Sequence, residues 1–218
     1  MEIKVPTTIN DIPLGEYQRF AKVNVPDADP EFLMHKTIEI FCEMDIRDVA
    51  RLPIKTAQDL YQEISEVLVQ ENVFTRRMTL EGVEYGFIPD LEAMTLGEYI
   101  DLEDGLKDAA QFHKAVSVMY RPIKKSYADL YTIEPYSASK SAHDVMKQAP
   151  LGEVNAAIVF FYHIVSELLE ASQTFSKKQA KETLTTLEKD SSLLNTGGST
   201  VSMLSLMETL RSMQQQQK

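Results

Sequence analysis

Residues Pro150–Ala171 read PLGEVNAAIVFFYHIVSELLEA and form the one stretch apolar enough to lie at the centre of a fold, with the rest of the chain packed around it. Residues Ala156–Val165 leave almost no polar face, which is typical of a helix buried on all sides. Glu153 before this run and Glu167 after it keep the apolar length well below the roughly 20 residues that a bilayer requires. We therefore predict a central buried helix, about 151–171, and not a membrane span.

The composition indicates a globular protein with an acidic surface. The chain has 218 residues, of which 44% are hydrophobic, enough for one large domain or two small ones. Asp and Glu outnumber Lys and Arg by 33 to 22, giving a net charge of −11. Because this charge repels phosphate backbones and anionic lipids, we predict neither a nucleic acid nor a membrane as a direct partner.

The single cysteine and the N-terminus both favour the cytoplasm. Cys42 excludes an intrachain disulfide, and its position in the apolar run IEIFCEM predicts a small buried side chain. The first residues, MEIKVPTTIND, contain neither the basic start nor the apolar core of a secretion signal.

Apolar periodicity predicts an α+β protein that is mostly helical. We expect a short strand at Glu2–Val5 and helices that open at Leu14, at Pro30 after the capping residue Asp29, and at Ile46. Two further helices are predicted to begin at capping boxes, one formed by Thr56 and Asp59 and one by Thr95 and Glu98. The remaining helices of the globular part are predicted at Leu106–Tyr120, at Ser139–Gln148 and from Ser176 to about Lys189.

Alternating apolar residues predict a β-hairpin at about 73–88 with its turn at Glu81 and Gly82. The tyrosine-rich segment 123–136 is predicted to form either a second small strand pair or an ordered loop.

A three-residue sequence recurs at three predicted helix starts: Leu14-Gly15-Glu16, Leu96-Gly97-Glu98 and Leu151-Gly152-Glu153. A local explanation is that Glu favours the first turn of a helix and Gly permits the close approach of a neighbouring element. An old duplication is the alternative, although the elements that follow the first two copies do not correspond.

The C-terminal part is predicted to be a docking segment. The composition divides the chain into a globular domain, 1–190, a linker, 191–200, and an amphipathic helix, 201–218. The apolar stripe of that helix consists of Met203, Leu206, Met207, Leu210 and Met213. A short helix of this kind needs a surface, either its own domain or another chain, and flexible methionines suit the second.

The usual signatures of catalysis and of metal binding are missing from the sequence, which therefore predicts no catalytic, cofactor-binding or metal-binding residue. The histidines His35, His113, His143 and His163 lie in four separate predicted helices, and His163 is expected to be a hydrogen-bonded core residue. The acidic run from Glu98 to Asp104 is expected to be a solvated helix face. An enzyme would need distant residues such as His113 or His163 to meet acidic neighbours in one pocket.

Three segments resemble a group of small acidic proteins that tailed bacteriophages encode among their virion morphogenesis genes. These are Leu96–Glu103 (LGEYIDLE), Met119–Ile123 (MYRPI) leading to Ile133–Tyr136 (IEPY), and Ala157–Tyr162. The resemblance covers roughly residues 90–165, and its motifs are structural, so it implies no active-site residue.

The resemblance implies a non-enzymatic protein similar to tail assembly chaperones, which bind the tape measure protein before the tail tube is built. The partners would be phage structural proteins, with self-association as an alternative, and the place of action the host cytoplasm. The alternative function is a stable virion component of the tail, connector or capsid. A further class, an acidic inhibitor of a host nucleic-acid-binding enzyme, would require a continuous negative stripe.

Overall fold

The computed structural model describes residues 3–167. It confirms the predicted fold class, a mostly helical α+β protein, and it contains a four-stranded antiparallel sheet. Two compact units are distinguished, Met1–Ala157 and Ile158–Lys218, and their boundary falls inside the predicted domain 1–190. The predicted linker 191–200 and docking helix 201–218 lie outside the described residues, as does the helix predicted from Ser176.

Four helices form the first part of the chain: α1 (Leu14–Ala21), α2 (Pro30–Phe41), α3 (Ile46–Val49) and α4 (Ile54–Leu68). Asp29 caps α2 as predicted, because its carboxylate accepts a hydrogen bond of 2.8 Å from the Phe32 amide.

Two local predictions in this part are wrong. Helix α4 begins at Ile54, directly after Pro53, so Thr56 and Asp59 lie inside the helix and not at its start. The strand predicted at Glu2–Val5 is not found over residues 3–5, where no neighbouring strand supplies the hydrogen bonds that a strand requires.

Three further helices follow: α5 (Leu96–Leu106), α6 (Phe112–Met119) and α7 (Lys140–Val145). The capping box at the start of α5 is confirmed, since the Glu98 carboxylate accepts a bond of 2.7 Å from the Thr95 amide and Thr95 Oγ1 accepts one from the Glu98 amide. The helix predicted from Leu106 begins later, at Phe112. Asp108 accepts a bond from the Ala110 amide and so caps a separate 3-10 turn before it.

The sheet joins two hairpins in the order β1-β2-β3-β4, with every neighbouring pair antiparallel. The strands are β1 (Arg77–Leu80), β2 (Val83–Phe87), β3 (Tyr120–Tyr127) and β4 (Leu130–Ile133). The first hairpin is confirmed with its turn, where Glu81 and Gly82 have φ angles of 50° and 79°, both positive as a tight hairpin turn requires. Segment 123–136 is a strand pair, and β2 pairs with β3, which the sequence did not predict.

The longest continuous buried segment within residues 3–167 is Ala115–Tyr120, which passes from α6 into β3. Tyr120 is fully buried and lies edge-on to the ring of Phe87, with the ring centroids 5.3 Å apart. Its hydroxyl donates a hydrogen bond of 2.6 Å to the Thr75 carbonyl, which satisfies the buried polar group. This segment therefore connects the helices to the sheet.

Two of the three Leu-Gly-Glu copies pair with each other around Pro13 and Pro150, which form an isolated antiparallel bridge. The Leu14 amide donates to the Ala149 carbonyl and the Leu151 amide donates to the Ile12 carbonyl, both over 2.9 Å. This reciprocal arrangement fixes the first residues of two helices, and both leucines are almost completely buried.

The helix predicted to be central is present as α8, residues 151–167 of the described part. In the first unit its residues Leu151, Val154 and Ala157 are buried, as predicted. In the second unit, Val159 is 54% exposed and His163 is also exposed, so the expectation of burial on all sides and of a core histidine is wrong there. No helix within residues 3–167 has the length and apolarity needed to cross a bilayer.

Candidate functional site

A cavity of about 650 Å³ lies beside α5, α6 and α7, within the first unit. This volume is in the range of small-molecule pockets, roughly 300–1,000 Å³. Its lining is strongly polar and brings together two histidines, three lysines, three aspartates and a tyrosine: His113, His143, Lys114, Lys140, Lys147, Asp101, Asp104, Asp144 and Tyr136.

The His113 imidazole, which lines the cavity, is fixed in the form that carries its proton on Nε2. Gln18 from α1 is buried, and its amide nitrogen lies 3.0 Å from both the Ala109 carbonyl and His113 Nδ1. Because this amide nitrogen donates both bonds, Nδ1 accepts and the proton of the neutral ring resides on Nε2. Burial, and then the positive charge of Lys147, lowers the pKa of His113 to about 4.

A second group links α5 to the segment after β4. The Tyr136 hydroxyl donates a hydrogen bond of 2.9 Å to Asp101 Oδ2 and lies 3.5 Å from His143 Nε2. Burial, together with the hydrogen bond and negative charge of Asp101, raises the pKa of Tyr136, which therefore remains protonated. Burial, followed by the charge of Lys114, lowers the pKa of His143.

The proton positions of two of these groups are defined by their neighbours. A His113 ring that carries its proton on Nε2 and has a pKa of about 4 is neither a base toward the cavity nor a charged acid at neutral pH. Tyr136 likewise retains its proton. Of these two groups, His113 keeps a free N–H donor, whereas the Tyr136 proton is already donated to Asp101.

No group of three or more His, Cys, Asp or Glu side chains within residues 3–167 is arranged to hold a metal ion. His35 lies in α2 and His163 is exposed, and neither lines the cavity. The structure therefore brings together His113 and His143 of the four histidines.

The acidic run of α5 is a solvated face only in part, because Asp104 is exposed and Asp101 and Glu103 are partly exposed, whereas Glu98 is not. Glu98 is buried, and its carboxylate lies 2.7 Å from the Arg121 guanidinium, which is also largely buried. Burial alone would raise the pKa of Glu98, but the Thr95 hydrogen bonds and the Arg121 charge outweigh it and the pKa is lowered. Helical periodicity did not reveal this role, because it depends on a partner in β3.

Two contacts connect the first two segments on which the phage resemblance rests. The Glu98–Arg121 ion pair joins the LGEYIDLE helix to the MYRPI strand. The Asp101–Tyr136 hydrogen bond joins the same helix to the IEPY segment. The two contacts therefore connect α5 to the third strand and to the segment that follows the fourth.

The outer end of the β3–β4 hairpin is an exposed apolar pair. Residues 124–130 are all exposed, and Tyr127 and Leu130 have 85% and 76% of their surface accessible. The two residues are directly opposite in the strand register, so their side chains lie on the same face. We call Tyr127 and Leu130 the hairpin tip.

The predicted partner-binding residues Met203, Leu206, Met207, Leu210 and Met213 lie outside the described part of the chain. The requirement stated for an enzyme is met in part, because His113 lies with Asp101, Asp104 and Asp144 in one cavity, whereas His163 does not. Nothing in the sequence pointed to His143, which is 30 positions from His113 and shares no motif with it.

The fold and these two sites define a mostly helical α+β protein with a polar cavity and an exposed hairpin tip. Comparison with models of protein families, with curated protein sequences and with solved structures gives no match for this chain.

Proposed function

We propose that this chain is a non-enzymatic protein of tailed-bacteriophage morphogenesis that acts by binding other proteins, as tail assembly chaperones do. Its partners are phage structural proteins, with the tape measure protein first among them, and it acts in the host cytoplasm during assembly. The motif resemblance supplies the phage context.

The hairpin tip is the observation that carries the binding function. Tyrosine is enriched in protein interfaces because it offers a large apolar ring together with a polar hydroxyl. Tyr127 and Leu130 expose this kind of surface on a tight hairpin, so little conformational order is lost on binding.

A direct binding measurement tests this function. The full chain and the double variant Tyr127→Asp with Leu130→Asp are compared for affinity capture of a tape measure protein from a lysate of phage-infected cells. We expect the variant to lose binding by about tenfold or more, because two exposed apolar contacts are each replaced by a charge. Retention of full binding would exclude the hairpin tip as the interface.

A matched control places the same two charges elsewhere. Val69 and Val73 are each 79% exposed, so Val69→Asp with Val73→Asp makes an equivalent change outside the sheet. We expect this control to bind as the unchanged chain does.

Mass spectrometry of purified phage particles distinguishes a tail assembly chaperone from the alternative, a stable virion component. A chaperone that departs is absent from the particles, whereas a fixed copy number in them would make the chain a virion component. Failure to capture any tail or capsid protein of the same phage would contradict both.

A further inference from the structure

The acidic groups of the cavity are already engaged within the protein. Asp144 forms an ion pair of 2.6 Å with Lys147, and Asp104 forms one of 2.8 Å with Lys107. Asp101 accepts the Tyr136 hydroxyl. Their negative charges are thus compensated or hydrogen-bonded before any ligand enters.

Two ammonium groups of the cavity remain without an acidic partner. Neither Lys114 nor Lys140 has a carboxylate within 4.0 Å among the described residues, although both line the cavity. His113 adds the Nε2 proton as a neutral donor, because its other nitrogen is occupied by Gln18. The unused groups are therefore two cations and one hydrogen-bond donor.

This set of groups has the positive charge and the donor capacity that a phosphate group requires. A phosphomonoester carries between one and two negative charges near neutral pH and has three strong acceptor oxygens. The cavity volume of about 650 Å³ exceeds what a phosphate group alone would fill, which leaves room for an organic portion. The engaged aspartates still offer acceptor oxygens for hydroxyl or amino groups of such a portion.

We propose that this cavity binds a small phosphomonoester, with the Lys114 and Lys140 ammonium groups and the His113 Nε2–H as donors to the phosphate. The site is independent of the proposed protein-binding function, since none of its groups belongs to the hairpin tip. It binds its ligand without chemical change.

Histidine NMR of the full chain, titrated with inorganic phosphate and with methyl phosphate, tests the proposal. We expect saturable shifts of the His113 and His143 ring signals, with a dissociation constant of about 1 mM or tighter. The double variant Lys114→Gln with Lys140→Gln should weaken binding by about tenfold or more, because charge-assisted hydrogen bonds are lost.

The control Lys22→Gln with Lys55→Gln removes the same charge from exposed lysines outside the cavity and should leave the affinity unchanged. Equal weakening in both double variants would show diffuse electrostatic attraction and overturn the proposal, as would the absence of a saturable shift. Acetate that binds as tightly as phosphate would also overturn the phosphate class.

A further variant guards against a folding defect in the lysine double variant. His113→Asn retains an acceptor for Gln18 but removes the ring Nε2–H, because the amide nitrogen of the shorter Asn side chain does not reach the Nε2 position. We expect it to weaken phosphate binding in calorimetry, and unchanged affinity would contradict the assigned role of His113.

Discussion

At the scale of single residues, His113 illustrates how one polar neighbour sets the chemistry of a side chain. Gln18 uses its amide nitrogen to hold both a backbone carbonyl and His113 Nδ1, and this selects the ring form that donates into the cavity. Burial is the largest cause that opposes a positive charge on the ring, followed by Lys147, His143 and Lys114, while Asp144 favours it. The ring is therefore neutral in the folded protein.

The lowered pKa of His113 predicts a pH-dependent stability. Between pH 6.5 and about 4 the unfolded chain binds a proton that the folded chain does not, so the free energy of unfolding falls as the pH falls through this window. We expect His113→Asn to remove at most about 3.5 kcal/mol of this fall, at roughly 1.4 kcal/mol per pKa unit.

Urea unfolding of the unchanged chain and of His113→Asn is measured between pH 6.5 and about 4. The difference between their free energies of unfolding isolates His113, because the contributions of the other titrating groups cancel. Parallel pH profiles for the two proteins would contradict the neutral, buried state of His113.

The Glu98–Arg121 pair yields a second prediction at this scale. Glu98→Gln retains the capping interaction with Thr95, since Gln also serves in a capping box, but leaves the Arg121 charge buried without a counter-charge. We expect a loss of about 3 kcal/mol in the free energy of unfolding, with partial recovery when Arg121→Met is added.

Chemical denaturation of the two single variants and the double variant forms the necessary cycle. Added salt should change the result little, because both side chains are largely buried. A loss that salt abolishes would indicate a solvated pair instead.

At the scale of elements, the Leu-Gly-Glu copies show that one short sequence serves two structural purposes. In the first and third copies, glycine permits close packing around the Pro13–Pro150 bridge. A Cβ atom on Gly15 would lie 3.2 Å from the Lys147 backbone oxygen, and one on Gly152 would lie 2.6 Å from Ile9 Cγ2. In the second copy, Gly97 has open space and the capping box is the important feature.

The identical substitution should therefore have opposite effects in two copies. We expect Gly152→Ala to destabilise the protein by about 1–3 kcal/mol, because the added methyl group overlaps packed atoms. Gly97→Ala, the matched control, should be neutral or stabilising by about 0.5–1 kcal/mol, because alanine restricts the unfolded chain. Thermal unfolding of both variants measures this, and equal effects would contradict the reciprocal packing.

The contacts that join the two hairpins are also contacts between different elements. Tyr131 of β4 lies across Gly86 of β2, so closely that a Cβ atom at Gly86 would overlap the ring. The Tyr131 hydroxyl donates a hydrogen bond of 2.7 Å to the Phe87 carbonyl, and the Arg77 guanidinium lies 4.9 Å from the centroid of the Tyr131 ring. These contacts hold β4 over the first hairpin, and alternation within each strand carries no information about them.

At the scale of the whole molecule, the sequence predicts association through its C-terminal segment. Leu206→Asp with Leu210→Asp should abolish partner binding and leave the globular part folded, because both substitutions charge the apolar stripe. Ser202→Asp with Ser205→Asp adds the same charge to the polar side and is the control.

Binding to the tape measure protein and thermal unfolding are measured together, with a chain ending at Ser192 as the reference. Unfolding of the globular part in the leucine variant would show that the stripe belongs to its core, and the predicted docking role would then be wrong.

Local sequence patterns were sufficient to predict the helix-rich class, the first hairpin with its Glu81–Gly82 turn, the Asp29 and Thr95 caps, and the burial of Cys42. Each of these follows from residues close together in the chain, where periodicity and capping chemistry act. The pairing of β2 with β3, the partner of Glu98 and the meeting of His113 with His143 became known from the folded structure alone. Those contacts join distant segments, and packing and desolvation, which fix them, leave no local pattern.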